Sequence, residues 1–515
     1  MNRTFLTLAA LSPVLIASCS SSDDDNSGTP SPPEIVGGVF AMTNGEGQPS
    51  GNGDIAGPNS VVAYSRAEDG TLTLVGSYPT AGNGGDFDGG EGLDPLISAN
   101  AVQLTPDNTR LLAVNAGSNT ISSFAVNADM SLTMMSQMLT GGTGPNAIAT
   151  DGDRVFVTNI DADGVFTGEP DQEGSVTSFL IDAAGILTPT GSSQDLENRP
   201  SDVRLSSNGG FIIISSLTAG SAGLPNDSIV NENTETDGPD EIVVHAVDAN
   251  GVISARAALG SAISSFRDIR DNDGAAFQGP DEMGADPVGT ATGNYRNLPS
   301  PIGMSVVASG TAGFDIVLAT ETREFNAFGG GPTLPNLEAG SISTFLLNNS
   351  TGEINPIAGG TDIAASLPGE PNQLTLCWVA SAEDGTGGQV VYVSNTINSL
   401  ISSFAVDGDG AVTVIERIAA AGNGPFADGE DNTTIVAAPG MSLGETVFGN
   451  TDGYIDMALS ADNDYLYQLT GLSGSVVVYR RNGDNTLTQI QVLDAETADG
   501  EGEIPTQNSQ GIDAF

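Results

Sequence analysis

One pattern recurs seven times along this chain, and it leaves few folds open. Each copy runs from a short apolar strand through a polar turn to Ser/Thr-Val/Ile-x-x-aromatic, then through a Gly-containing turn to a Leu, Ile or Val. The clearest copies are Val114 to Phe124, ending Asn119-Thr120-Ile121-Ser122-Ser123-Phe124, and Val393 to Phe404, ending Leu400-Ile401-Ser402-Ser403-Phe404. The aromatic position holds Tyr64, Phe124, Phe179, His245, Phe345, Phe404 and Tyr479. The apolar residue follows eight positions later in six copies and nine later, at Ile354, in the fifth. Spacing held this closely predicts two strands joined by a short hairpin. Side chains alternate with a period of two, so a slip of one residue would turn every apolar side chain to the wrong face.

A further strand is expected before each copy, at 38–44, 112–115, 155–159, 211–215, 316–320, 390–395 and 465–469. Ahead of most stands one more, as at 101–105, 203–206 and 457–460, each followed by a turn. Four strands per unit is the make-up of a propeller blade. The first unit lacks its leading strand, and Gln510-Gly511-Ile512-Asp513-Ala514-Phe515 matches Asn100 to Thr105 in spacing. It is expected to complete the first blade and close the ring, which removes open sheet edges. The expected fold is therefore all-β, a seven-bladed β-propeller of four-stranded blades over residues 37–515. The units exceed the roughly 40–45 residues of comparable repeats. The surplus lies in Gly/Asp-rich segments at 45–58, 81–98, 217–240, 262–300, 325–338 and 420–455, which read as surface loops. The sole histidine, His245, falls on the recurring aromatic position and reads as a packing residue.

Charge narrows the partners. There are 14 basic and 65 acidic residues, a formal net charge of −51, and every basic residue is Arg. A basic surface for nucleic acid is excluded, and long-range attraction to anionic lipids or substrates is disfavoured. Such an excess suits a salty setting, where the Debye length shrinks to about 3 Å at 1 M. At the N-terminus, Arg3 precedes an apolar run from Phe5 to Ala17, too short to span a bilayer. The run ends Leu15-Ile16-Ala17-Ser18-Cys19 and resembles a bacterial lipoprotein signal. This reading gives a signal peptide at 1–18 and a lipidated Cys19 with a Ser/Asp/Pro-rich tether at 19–36. It places a monomeric propeller, held by acyl chains, on the cell envelope, at the outer membrane facing periplasm or exterior. Cys377 is then the remaining thiol, in an apolar strand pattern that predicts an inert buried side chain.

The copies Val-x-Asn…Asn-Thr-Ile-Ser-Ser-Phe, Gly174-Ser175-Val176-Thr177-Ser178-Phe179…Gly185-Ile186-Leu187-Thr188-Pro189, and Thr320-Glu321 ahead of Gly340 to Phe345 resemble the seven-bladed propeller lactonases. That family includes 6-phosphogluconolactonase and carboxymuconate-lactonizing propellers. The resemblance implies opening of a sugar-acid or related lactone by His, Arg and acidic side chains in the channel cleft. No cleft histidine is present to carry over, so a base would have to be a carboxylate such as Glu321, with Arg323 two residues on to hold an oxyanion or a substrate carboxylate. Asn44, Asn115, Asn159, Asn395 and Thr470 end equivalent strands and are candidates either for a polar channel mouth or for turn residues tying down their own backbone.

No cofactor is implied. Asp161-x-Asp163-Gly164, Asp271-x-Asp273-Gly274 and the pair Asp407 and Asp409 offer oxygen ligands to a cation such as calcium, but none completes the twelve-residue loop with its closing Glu. Asp-Gly pairs are ordinary hairpin turns. Two functions remain in view: a lactone hydrolase, and a non-catalytic surface propeller that binds a protein, glycan or cation. A haem or quinone propeller is distant, since Cys-x-x-Cys-His is absent.

Overall fold

A computed structural model describes residues 34–45, 54–86, 94–96, 98–161, 174–196, 199–217, 241–262, 299–323, 341–363, 376–396, 399–421, 453–471, 474–493 and 509–515. The expected signal at 1–18, Cys19 and most of the expected tether lie outside these residues, as do Asp163, Asp271 and Asp273. The described strands form seven four-stranded antiparallel sheets. Blade 1 consists of Ile512–Ala514, Ile35–Met42, Asp54–Ala67 and Leu72–Asp86, in that spatial order. The other six blades follow in chain order. Their inner strands are Val102–Leu104, Thr143–Thr150, Arg199–Leu205, Pro299–Ala308, Leu376–Glu383 and Tyr454–Leu459. Blades 4 and 7 thus begin at Arg199 and Tyr454 rather than at 203 and 457.

The C-terminal strand closes the ring as its spacing predicts. Ile512, Asp513 and Ala514 pair with Ala41, Phe40 and Val39. Further backbone bonds run from Met42 N to Gly511 O and from Phe515 N to Gly38 O, and the Phe515 ring stacks on Phe40 with centroids 6.4 Å apart. The closing strand covers the inner edge of Ile35–Met42, whose backbone groups would otherwise be open to another chain.

Because strand side chains alternate, each sheet presents apolar residues to both neighbouring blades, and the core is a series of layers between blades. Phe211, Ile213 and Val244 of blade 4 meet Met304, Val317 and Phe345 of blade 5. Ile316, Leu318 and Ile342 of blade 5 meet Val379, Val391 and Phe404 of blade 6. All seven residues of the recurring aromatic position lie on third strands and are buried. His245 is among them. Its Nδ1 lies 3.0 Å from the Ser254 carbonyl oxygen, and burial holds its pKa below the ordinary imidazole value. At or beside every one of these positions the register with the fourth strand shifts. A bulge at the same place in seven blades sharpens the twist of the outermost strand.

The two ends of the ring differ. Connections from first to second strand and from third to fourth are tight turns. Asp407, for example, accepts from the backbone N–H of Asp409 and Ala411 through Oδ1, a hairpin role that leaves no calcium loop there. The six long segments named above all join a second strand to a third, or a fourth strand to the next blade. Topology places those connections at one end, so the ring has an insertion end and a tight-turn end.

Candidate functional site in the central channel

The strand-end candidates are deeply buried at the insertion end of the second strands. Asn115 Nδ2 donates to Thr120 Oγ1 and Ser122 Oγ, 3.1 and 2.9 Å away. Asn395 Nδ2 donates to Ser402 Oγ at 2.9 Å and the Leu400 carbonyl at 3.2 Å. Asn159 donates to Ser175 Oγ at 3.2 Å. Thr470 Oγ1 accepts from Ser475 N at 2.9 Å. Asn44 exchanges two bonds with the backbone of Gly85. Each side chain fastens its own strand end to an adjacent segment. Asn115 and Asn159 also press on the preceding blade: a Cβ at Gly82 would sit 2.4 Å from Asn115 Cγ, and one at Gly142 2.6 Å from Asn159 Cβ. Only glycine admits that approach.

Glu321 occupies the same place in blade 5. It pairs with Ser341 across the ladder, as Asn115 does with Thr120. Its Oε2 accepts from Ser341 Oγ at 2.5 Å and Ser343 Oγ at 3.0 Å, and the residue is 1% exposed. The carboxylate holds two hydroxyls where blades 1, 2, 3 and 6 use an amide donor. Arg323 ends the same strand, its backbone paired with Pro299; its side chain lies outside the described residues. Cys377 is buried on the inner strand of blade 6, and burial drives its thiol pKa far upward, as expected of an inert thiol.

Polar chemistry concentrates instead around the ring axis. Residues 94–96 and 98–100, from the insertion between blades 1 and 2, form a strap across the insertion end. Ser98 O accepts from Trp378 Nε1 of blade 6 and from Gln510 Nε2 beside the closing strand, both at 3.0 Å. Ser98 Oγ donates to Asn146 O of blade 3. Arg199 Nη2 of blade 4 donates to Leu96 O, and Ala99 N donates to Ser201 O. Asn100, held at φ 62°, offers its backbone N–H to Asp456 of blade 7 and its Nδ2 to Asp202 of blade 4. A segment bonded to blades 1, 3, 4, 6 and 7 must cross the axis. Leu96, Ser98 and Ala99 are buried there.

Beneath the strap, three inner-strand aspartates latch one blade to the next. Asp456 Oδ2 accepts from Ile512 N. Asp513 Oδ2 accepts from Leu104 N and Gln103 Nε2. Asp202 Oδ2 accepts from Met304 N at 2.8 Å and Arg204 Nε at 3.0 Å, while Oδ1 accepts from Asn100 Nδ2 and Val203 N. Burial raises the pKa of all three, Asp456 to about 7 and Asp513 to about 6. The described residues contain no group of three or more His, Cys, Asp or Glu placed to hold a metal ion.

These shifts fix a sign. A carboxyl with a raised folded-state pKa binds its proton more tightly in the folded protein. Its stabilisation is complete below the unfolded value near 4 and is lost as pH rises through about 6 to 7. In 1 M NaCl, where surface repulsion is screened, the melting temperature is expected to fall between pH 5 and pH 8, and Asp456→Asn is expected to flatten that fall. Thermal melts at the two pH values check it; an identical slope in the variant would refute the assignment.

Residues 58–167 match the family described as lactonase, 7-bladed beta-propeller. The chain is similar to the propeller lactonases. The matched stretch runs from the third strand of blade 1 into blade 3 and includes the strap, but neither Asp202 nor Glu321. No curated protein matches. Among solved structures, a protein from Lactobacillus plantarum is 12% identical with a TM-score of 0.51, covering 93% of this chain and 99% of its own. The periplasmic gluconolactonase PpgL of Pseudomonas aeruginosa is 14% identical with a TM-score of 0.48, over 92% and 99%. A functionally unknown protein from Desulfotomaculum acetoxidans is 11% identical with a TM-score of 0.47, over 92% and 98%. At such identities the likeness to the Lactobacillus structure is one of fold.

Proposed function

We propose that this protein is an exported lactonase-type propeller, anchored through an acylated Cys19, that hydrolyses a sugar-acid or related lactone. The observation that carries this reading is the match of residues 58–167 to the propeller lactonases, joined to a complete seven-bladed ring. Hydrolysis would add water to the ring carbonyl and expel the ring oxygen as an alcohol, leaving a carboxylic acid. With no second histidine in the chain, the base is a carboxylate. Glu321 is the candidate within blade 5, with Arg323 as its partner.

A second reading is favoured by one specific observation. Glu321 is 1% exposed and already bonded to two serine hydroxyls at a position where other blades carry a strand-end clamp. A group so engaged suits a non-catalytic propeller that binds its ligand through the insertion end. Acid release from a panel of aldonic and related lactones separates the two. The hydrolase reading expects turnover by the protein lacking residues 1–33 and a loss of at least about tenfold in Glu321→Gln, in the range a single general base supplies. A panel without turnover at both low and molar salt would leave the binding reading.

The acidic surface adds an expectation for either case. With a net charge of −51, raising NaCl from about 0.05 to about 2 M, which shortens the Debye length about sixfold, is expected to raise the melting temperature by several degrees. A melting temperature that falls or stays flat would argue against salt adaptation.

A further inference from the structure

We propose that the channel at the level of Arg204 is a binding site for a small organic carboxylate, entered from the tight-turn end. The starting observation is the state of the guanidinium. Arg204 spends only Nε on Asp202, and its side chain is 26% exposed. Both Nη groups are without a hydrogen-bond partner among the described residues, and together they form the fork that receives a carboxylate in two parallel bonds.

Placement follows from register. Val203 pairs with Ile214, and its counterparts around the ring are Ile512 on Ala41, Val102 on Ala113, Met304 on Ala319 and Met457 on Gln468. One position further along stand Asp513, Gln103, Arg204, Ser305 and Ala458. Arg204 therefore shares a layer with short or polar side chains, and the charge of its guanidinium acts on Asp456 of blade 7 and Asp513 of blade 1. In a ring of seven those blades stand opposite blade 4, so the guanidinium is directed across the axis. The strap is bonded at Ser201 and, through Asn100, at Asp202, both on the insertion side of Arg204 along the strand. It closes the insertion end and leaves the tight-turn end for entry.

The same geometry argues against a cation. All four bonds to the Asp202 oxygens come from N–H donors, and Asp456 and Asp513 likewise accept from backbone and amide N–H groups. The donors left over belong to Arg204. In mildly acidic solution the raised pKa values of Asp456 and Asp513 favour their neutral forms, which lessens the charge opposing an incoming carboxylate.

The site stands on the channel alone and does not require lactone hydrolysis. Its test is calorimetric titration of the protein lacking residues 1–33 with sodium gluconate at pH 5.5 in a fixed NaCl background, with glucose as the uncharged control. Saturable heat is expected from gluconate and none from glucose. Arg204→Gln, which keeps a donor towards Asp202, is expected to weaken binding at least tenfold. Arg204→Lys, which keeps the charge but loses the planar two-bond fork, is expected to weaken binding as well, and it decides the matter should the Gln variant fail to fold. Absence of saturable heat in the wild type, or wild-type affinity in both variants, would overturn the proposal.

Discussion

Removing residues 511–515 is expected to abolish cooperative folding. These five residues supply the inner strand of blade 1, the stack of Phe515 on Phe40, and Asp513, which holds the backbone of Leu104 in blade 2. Loss of a buried Ile side chain removes about 1.5–3 kcal/mol, and each lost backbone or carboxylate bond about 1 kcal/mol more. The sum approaches the roughly 5–15 kcal/mol by which a domain is stable at all. The truncation also bares the inner edge of the strand Ile35–Met42, so the product is expected in large aggregates. Size-exclusion chromatography and urea denaturation give the readout. A monomeric truncate with an unchanged unfolding midpoint would show that the ring does not depend on its closing strand. Ile512→Asp makes the same test by substitution.

The second large effect is expected at Trp378. It is the single tryptophan of the chain, is 1% exposed, and joins blade 6 to the strap through Nε1. Trp378→Ala is expected to destabilise by about 3–5 kcal/mol, the usual range for emptying a large aromatic site. Trp378→Phe keeps most of the packing but leaves Ser98 O with one donor fewer, and about 1–2 kcal/mol is expected. Urea midpoints of the two variants separate packing from hydrogen bonding. In the wild type the indole is expected to emit at short wavelength and resist acrylamide, since water does not reach it. A quenched, red-shifted emission in the folded protein would mean that the strap does not cover this end.

The architecture was legible because it is written locally and repeatedly. A hairpin with fixed spacing is a short-range signal, and His245 could be placed among six aromatics because the repeat supplied its address. The closing strand was legible for the same reason: Ile512 and Asp513 match Val102 and Gln103. What escaped reading depends on contacts between distant residues. Nothing near Ser98 announces Trp378, 280 residues away. The bulges opposite the aromatic position leave no residue type as a mark. The aspartate latches did leave a trace, since Asp202 and Asp456 stand immediately before the equivalent residues Val203 and Met457. An alignment of the copies by inner strand would have singled them out. Glu321 reads in sequence as an acid beside an arginine, yet its register equates it with Asn115 and Asn159, which tie down backbone and neighbouring hydroxyls.

The closing strand also dictates when folding can finish. Blade 1 draws its second, third and fourth strands from the first 86 residues and its first from the last four. A nascent chain builds from its N-terminal end, so blades 2 to 7 can all form while blade 1 still waits for its partner. Throughout elongation the strand Ile35–Met42 must therefore be kept from strangers by timing or by a chaperone, and the blade begun first is completed only after the other six.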